Sequence, residues 1–203
     1  MSVVFEPLEA ALLRQFLLEL VSLLEVEAGG APGPADGDLA DLDAVETLAD
    51  LEALTAGVSA PEDPVLRRLL PDAYPDDAEA SSDFRRFTQE GLVGRKHASA
   101  MLALRSLTAA APQTDPSVAE SAPGGHPLDA VPDEPIEVVL GAEDAQSWLA
   151  ALNDIRLALG VRLGVEQDDD DRWAALPDTD PRATIHEVYS WLGWLQETLV
   201  RAL

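Results

Sequence analysis

Apolar side chains recur every three to four residues over long stretches of this chain, and that spacing commits it to helices packed side by side. Trp148, Leu152, Ile155, Leu159 and Leu163 form one stripe of a helix starting near Ala142. Ile185, Val188, Leu192, Leu195 and Leu199 form another, on a helix opened by Asp180-Pro181. Pro7 stands in the first turn of a helix reaching about Glu27. Its leucines and Phe16 cover most of the circumference, which implies burial on several sides or packing against another chain, and leaves a homodimer open. Asp63-Pro64 opens a short helix that Pro71 ends. From about Ala78 a helix is expected to break near Thr88, whose hydroxyl can cap a following helix over 89–109. The acidic stretch 38–56 keeps Leu39, Leu42, Leu48, Leu51 and Leu54 on one further helical stripe.

Two short β-like pieces, 3–5 and 136–140, each lead directly into a helix, and VVFEPLEAALL is weakly similar to VVLGAEDAQSWL. Pairing them would bring the beginning of the chain beside its second half. The expected fold is therefore mainly α: a single helical domain over 1–203, of about six helices with a small two-stranded β element. Gly/Pro-rich stretches at 28–38 and 109–135 read as flexible linkers.

Charge narrows the function classes. The 203 residues hold 38 acids against 13 bases, a net charge of −25. Non-specific affinity for nucleic acid comes from lysine and arginine displacing counterions, so direct DNA or RNA binding is not expected. Adsorption to an anionic membrane surface is disfavoured for the same reason. The early residues lack a secretory pattern and no apolar run approaches 18 residues, so a cytoplasmic location is expected. Absence of cysteine removes disulfides, thiolate metal sites and cysteine nucleophiles.

Motif-like segments fail on inspection. His97, His126 and His186 lie in separate regions, and His186-Glu187 begins a zincin pattern whose second histidine is replaced by Ser190. Gly91 to Lys96 (GLVGRK) has the wrong spacing for a phosphate loop and no hydroxyl residue after the lysine. The run Asp168 to Asp171 lacks the glycine and distant glutamate of a calcium loop. No nucleophile–base arrangement emerges, so no catalytic residue, cofactor or metal is assigned.

The basic residues are more informative. Residues 65–108 carry seven bases against six acids, a near-neutral block in an acidic chain. Arg67-Arg68, Arg85-Arg86 and Arg95-Lys96 are adjacent pairs, and neighbours on a helix point about 100° apart. One member of each pair can bridge acids such as Asp72, Asp76, Asp77 or Asp154, or the outward members can form a basic band that receives an acidic helix of a partner. All four tryptophans fall in the last 56 residues. Trp148 lies on its core stripe. Trp194 lies far round its helix from the apolar stripe, so it is exposed or covers a second surface. With Trp191 and the six bases, Trp194 completes the set of candidate partner contacts.

Three blocks together resemble a known family. They are DPVLRRLLPDAY (63–74) followed by Phe84-Arg85-Arg86, WLAALNDIRL (148–157) and YSWLGWLQ (189–196), after an FEPLEA start. In this order they are similar to the actinobacterial AosR-like family of oxidative-stress regulators, long described as a domain of unknown function. The resemblance implies a cytoplasmic, non-enzymatic regulator of transcription acting with a protein partner such as a stress sigma factor, on genes of sulfur and cysteine metabolism. It brings no catalytic residue and no cofactor. The family's closely spaced cysteine pair is missing here, so its redox switch does not carry over. The alternatives are an acidic adaptor or nucleic-acid mimic, and an enzyme whose site one sequence does not reveal.

Overall fold

The computed structural model describes residues 1–30, 58–111, 134–165, 176–177 and 179–203. Strands β1 (Ser2–Phe5) and β2 (Ile136–Val139) pair antiparallel, with Ser2 opposite Val139 and Phe5 opposite Ile136. Side chains alternate across the ribbon: Phe5, Ile136 and Val138 are buried, whereas Val4 and Val139 face solvent. Phe5 stacks on Trp148 with ring centroids 5.7 Å apart.

Each strand feeds a helix through the same device. Glu9 accepts from the Glu6 backbone N–H at 2.8 Å, and Asp144 accepts from that of Gly141 at 3.3 Å. A carboxylate three residues into each helix thus satisfies a donor at its start, the backward half of a capping box. This is the physical content of the weak similarity between the two β-like pieces.

Helix α1 is Pro7–Gly30, α2 is Pro64–Leu69, α3 is Ala78–Ala110, α4 is Ala142–Leu163 and α5 is Pro181–Ala202. Asp63 and Asp180 cap α2 and α5, each followed by proline in the first turn. Gly164 ends α4 at φ +63°, and the Val165 N–H returns to the Gly160 carbonyl at 2.9 Å.

The expected break near Thr88 does not occur: α3 is one helix of 33 residues. Thr88 donates to the Phe84 carbonyl at 2.8 Å instead of capping a new helix. Continuity wins because Arg85, Gln89, Val93, Ala100, Ala103 and Leu107 then fall on one buried line. With 78–109 merged and 38–56 outside the described residues, five helices are seen. The first residues of both linker stretches are helical, since α1 runs through Gly30 and α3 through Ala110. Residues 31–38 and 112–133 of those stretches, His126 among them, and the 168–171 acids lie outside the described residues.

Helix α4 is central, packing on α1, α2, α3 and α5, while α3 packs on α1, α4 and β2. The stripes converge as their spacing predicts: Trp148, Leu152, Ile155 and Leu159 of α4 meet Leu192, Leu195 and Leu199 of α5 in one core. Ile185, at the start of the α5 stripe, is exposed. Among the described residues no helix is long and apolar enough to cross a membrane.

Candidate functional site

The six paired bases do not share one surface. On α2, both members are exposed, and Arg67 donates to the Pro61 carbonyl through Nε at 3.4 Å and Nη2 at 3.2 Å. On α3, Arg85 turns inward, is only 7% exposed, and forms an ion pair with Asp72 and a 3.5 Å bond to the Val58 carbonyl. One turn earlier Ser81 accepts from the Tyr74 N–H at 3.0 Å and donates to the Tyr74 carbonyl at 2.8 Å. Together they pin the α2–α3 connection to the helix. Arg86, one residue round, lays its guanidinium over the Phe87 ring at 4.6 Å.

Further along α3, Arg95 is exposed and Lys96 turns in to Asp154 of α4 at 2.7 Å. Asp154 is 2% exposed, and burial pushes its carboxyl above the usual carboxylate range, opposed by the hydrogen bond and charge of Lys96. The expected internal bridges therefore exist for two pairs, through Asp72 and Asp154. Arg85 and Lys96 are inside, Arg86 is half-buried, and Arg67, Arg68 and Arg95 are exposed.

On the other side of α4, Arg156 reaches α5. It donates to Gln196 Oε1 at 2.6 Å and to the Tyr189 hydroxyl at 3.4 Å, with its guanidinium 4.8 Å from the Tyr189 ring centre. Gln196 in turn donates to the Leu149 carbonyl at 3.4 Å. A Cβ at Gly193 would sit 3.5 Å from the Arg156 guanidinium carbon, in ordinary contact, so the guanidinium lies directly over this position of the helix. Trp191 is half-buried against the core, whereas Trp194 is 60% exposed, as its helical position predicts. The clamp fixes α5 and presents Trp194 on a rigid element.

Little else here is chemically active. His97 lies 3.2 Å from Glu25, and His186 is stacked near Tyr189. Among the described residues no group of three potential metal ligands comes together. A solvent-open groove between α1 and α4 is lined by Phe16, Leu20, Leu23, Ile155 and Leu159, and crossed by a 2.9 Å Glu19–Arg162 pair. It offers apolar walls and one neutralised pair. Sequence assigns no contact role to Arg156 or to the exposed Phe84 and Phe87. The signal for Phe84 and Phe87 was available in their three-residue spacing on α3, opposite its buried line.

The three blocks that carry the family resemblance are thus the segments joined by the Asp72–Arg85 pair and by the Arg156 clamp. Comparison with known proteins agrees on the family. The profile of the family described as a domain of unknown function, DUF2017, matches residues 1–203. The oxidative stress regulator AosR of Mycobacterium tuberculosis (strain ATCC 25618 / H37Rv) is 35% identical over 200 residues, 97% of this chain and 79% of the relative. The Mycobacterium bovis AosR matches equally, and a Mycobacterium leprae relative carrying the AosR name is 34% identical over 98% of this chain and 81% of its own length. No solved structure matches the chain.

Proposed function

Because this chain belongs to the DUF2017 family, and its relatives are named oxidative stress regulators, we propose that it regulates transcription under oxidative stress by binding a protein partner, a stress sigma factor being the class of partner. Trp194 is the observation that carries the docking mode. A tryptophan 60% exposed on a helix clamped by Arg156 is the kind of rigid aromatic anchor that dominates binding energy at interfaces. Trp191 lies beside it, and the exposed Arg67, Arg68 and Arg95 supply basic contacts for an acidic partner. At net charge −25 the protein reaches DNA through that partner rather than by its own field. Lacking cysteine, it works without a disulfide switch.

The reading is tested by capture from the native host with wild type and Trp194→Ala, followed by mass spectrometry. A sigma factor or polymerase subunit, retained by wild type and lost by a variant with unchanged melting temperature, supports it. Capture of a metabolic cluster would favour an enzyme, and capture of a nuclease or other basic DNA-binding protein a nucleic-acid mimic. A gel shift of promoter duplex by the pure protein at micromolar concentration and physiological salt would refute the indirect route.

A further inference from the structure

Arg85 and Lys96 turn into the fold toward carboxylates, Asp72 and Asp154. Arg156, half-buried in the seam between α4 and α5, meets none among the described residues. It donates to Gln196 Oε1 and to the Tyr189 hydroxyl, and its guanidinium lies over the Tyr189 ring, all neutral groups. Those bonds occupy two of the five N–H donors of a guanidinium. Nε is buried with no acceptor among the described residues. Neutral partners orient the group but leave its charge uncompensated, and withdrawing a charge from water is costly until an opposite one meets it.

The surroundings supply no counter-charge and leave room for one. Asn153, one turn before Arg156 on α4, is exposed and carries an amide rather than an acid. Glu197, next to Gln196, turns instead to Arg201 at 2.6 Å. Gly160 and Gly193 line the seam without side chains, and a Cβ at Gly160 would already stand 3.8 Å from the Tyr189 ring. In a chain of 38 acids against 13 bases, an internal carboxylate would be the common outcome for such an arginine. A guanidinium held in one orientation, with N–H groups to spare, is the geometry by which arginine recognises oxyanions.

We propose that Arg156 is a binding site for an oxyanion group, a carboxylate or a phosphate, which takes the N–H donors that Gln196 and Tyr189 leave unused. The group arrives as a free anion or on the surface of a protein partner. The site stands apart from the Trp194 docking mode, since Trp194 lies on a different face of α5 from Gly193 and Gln196. The net charge of −25 opposes entry of any anion, so binding is weak.

Nitrogen–proton NMR of the full chain tests this at the Arg156 Nε–H, identified by its absence from Arg156→Gln. Sodium phosphate or sodium acetate, at an ionic strength held constant with sodium chloride, should move that signal saturably. Half-saturation is expected on the order of 10 mM, the affinity of one or two charge-assisted hydrogen bonds. In Gln196→Glu a carboxylate replaces the acceptor 2.6 Å from Nη1 and supplies the counter-charge internally, losing only a 3.4 Å bond to the Leu149 carbonyl. This variant should melt no lower than wild type and show no saturable movement. An anion carried by a partner gives a different result. Neither salt then moves the signal, but a protein captured by wild type and lost by Gln196→Glu moves it when added in pure form. A signal unmoved by both salts, with capture that is unaffected by Gln196→Glu or with nothing captured, overturns the proposal. So does a Gln196→Glu variant that still responds to either salt, since the site is then elsewhere. A variant that melts lower than wild type also overturns it, because Arg156 then lacks no counter-charge.

Discussion

Replacing Lys96 by methionine leaves Asp154 buried between α3 and α4 without its cation. Asp154 is 2% exposed, and the Lys96 side chain retains 17% exposure, so the ammonium could still reach water while the carboxylate could not. Removing one member of a buried pair costs about 3–5 kcal/mol, because the other charge stays desolvated. For a chain of this length each kcal/mol shifts the melting temperature by about 2–4 °C, which gives a fall of roughly 6–20 °C. The pH dependence has a definite sign. Burial already raises the Asp154 carboxyl above 3.8 in the folded protein, against the hydrogen bond and charge of Lys96. Without Lys96 it rises further. The folded state then takes up this proton at higher pH than the unfolded chain, so stability from this group grows as pH falls through the raised value toward 3.8. Thermal melts of wild type and Lys96→Met from pH 7 down to about pH 4 should show a gap that narrows on acidification. Lys96→Met combined with Asp154→Leu should recover most of the loss, since an apolar pair of similar volume replaces a buried ion pair at little cost. A single variant within about 1 kcal/mol of wild type, or a double variant no better than the single, would refute the reasoning.

Arg85 and Arg95 should separate cleanly. Arg85→Ala, which breaks the Asp72 pair and the Val58 contact, is expected to lose about 2 kcal/mol in a chemical melt, and Arg95→Ala, at an exposed position, clearly less; the reverse order would contradict the inward–outward assignment. At the start of α5, Arg182 beside Asp180 holds its carboxyl down to about 2. That stabilisation of the first turn is present above 3.8 and lost as pH falls toward about 2, so amide exchange at 182–184 should accelerate over that interval in wild type and show no such step in Asp180→Ala.

Much of this architecture follows from periodicity and end signals alone. Leu192, Leu195 and Leu199 can share a face only in a helix, and Trp148, Leu152, Ile155 and Leu159 likewise, so both stripes of the one core are written in the spacing. Asp-Pro at 63–64 and 180–181 fixes two helix starts, because aspartate satisfies free N–H groups while proline needs none. The angle of Trp194 on the helix takes it off the core stripe, and the fold decides that it is exposed rather than laid on a second surface. Thr88 is ambiguous in sequence because a hydroxyl can cap a new helix or bond back within an old one. Local sequence does not choose between these; the long buried line of α3 against α1 and α4 does.

Sequence by itself determined the helical class, the pairing-competent strands, the lack of cysteine and the excess of negative charge, since each depends on residue type and near-neighbour spacing. Only the tertiary structure decided that Arg85 bridges to Asp72 and Lys96 to Asp154, rather than their helical neighbours. Arg85 and Arg86 are chemically identical and adjacent, and so are equivalent to any reading of composition. What separates them is the 100° between successive helical positions and the placement of Asp72 on a different segment, brought beside one of them by the fold. The same holds for Asp154, one carboxylate among 38, whose raised affinity for protons arises from burial beneath a helix 58 residues away in sequence.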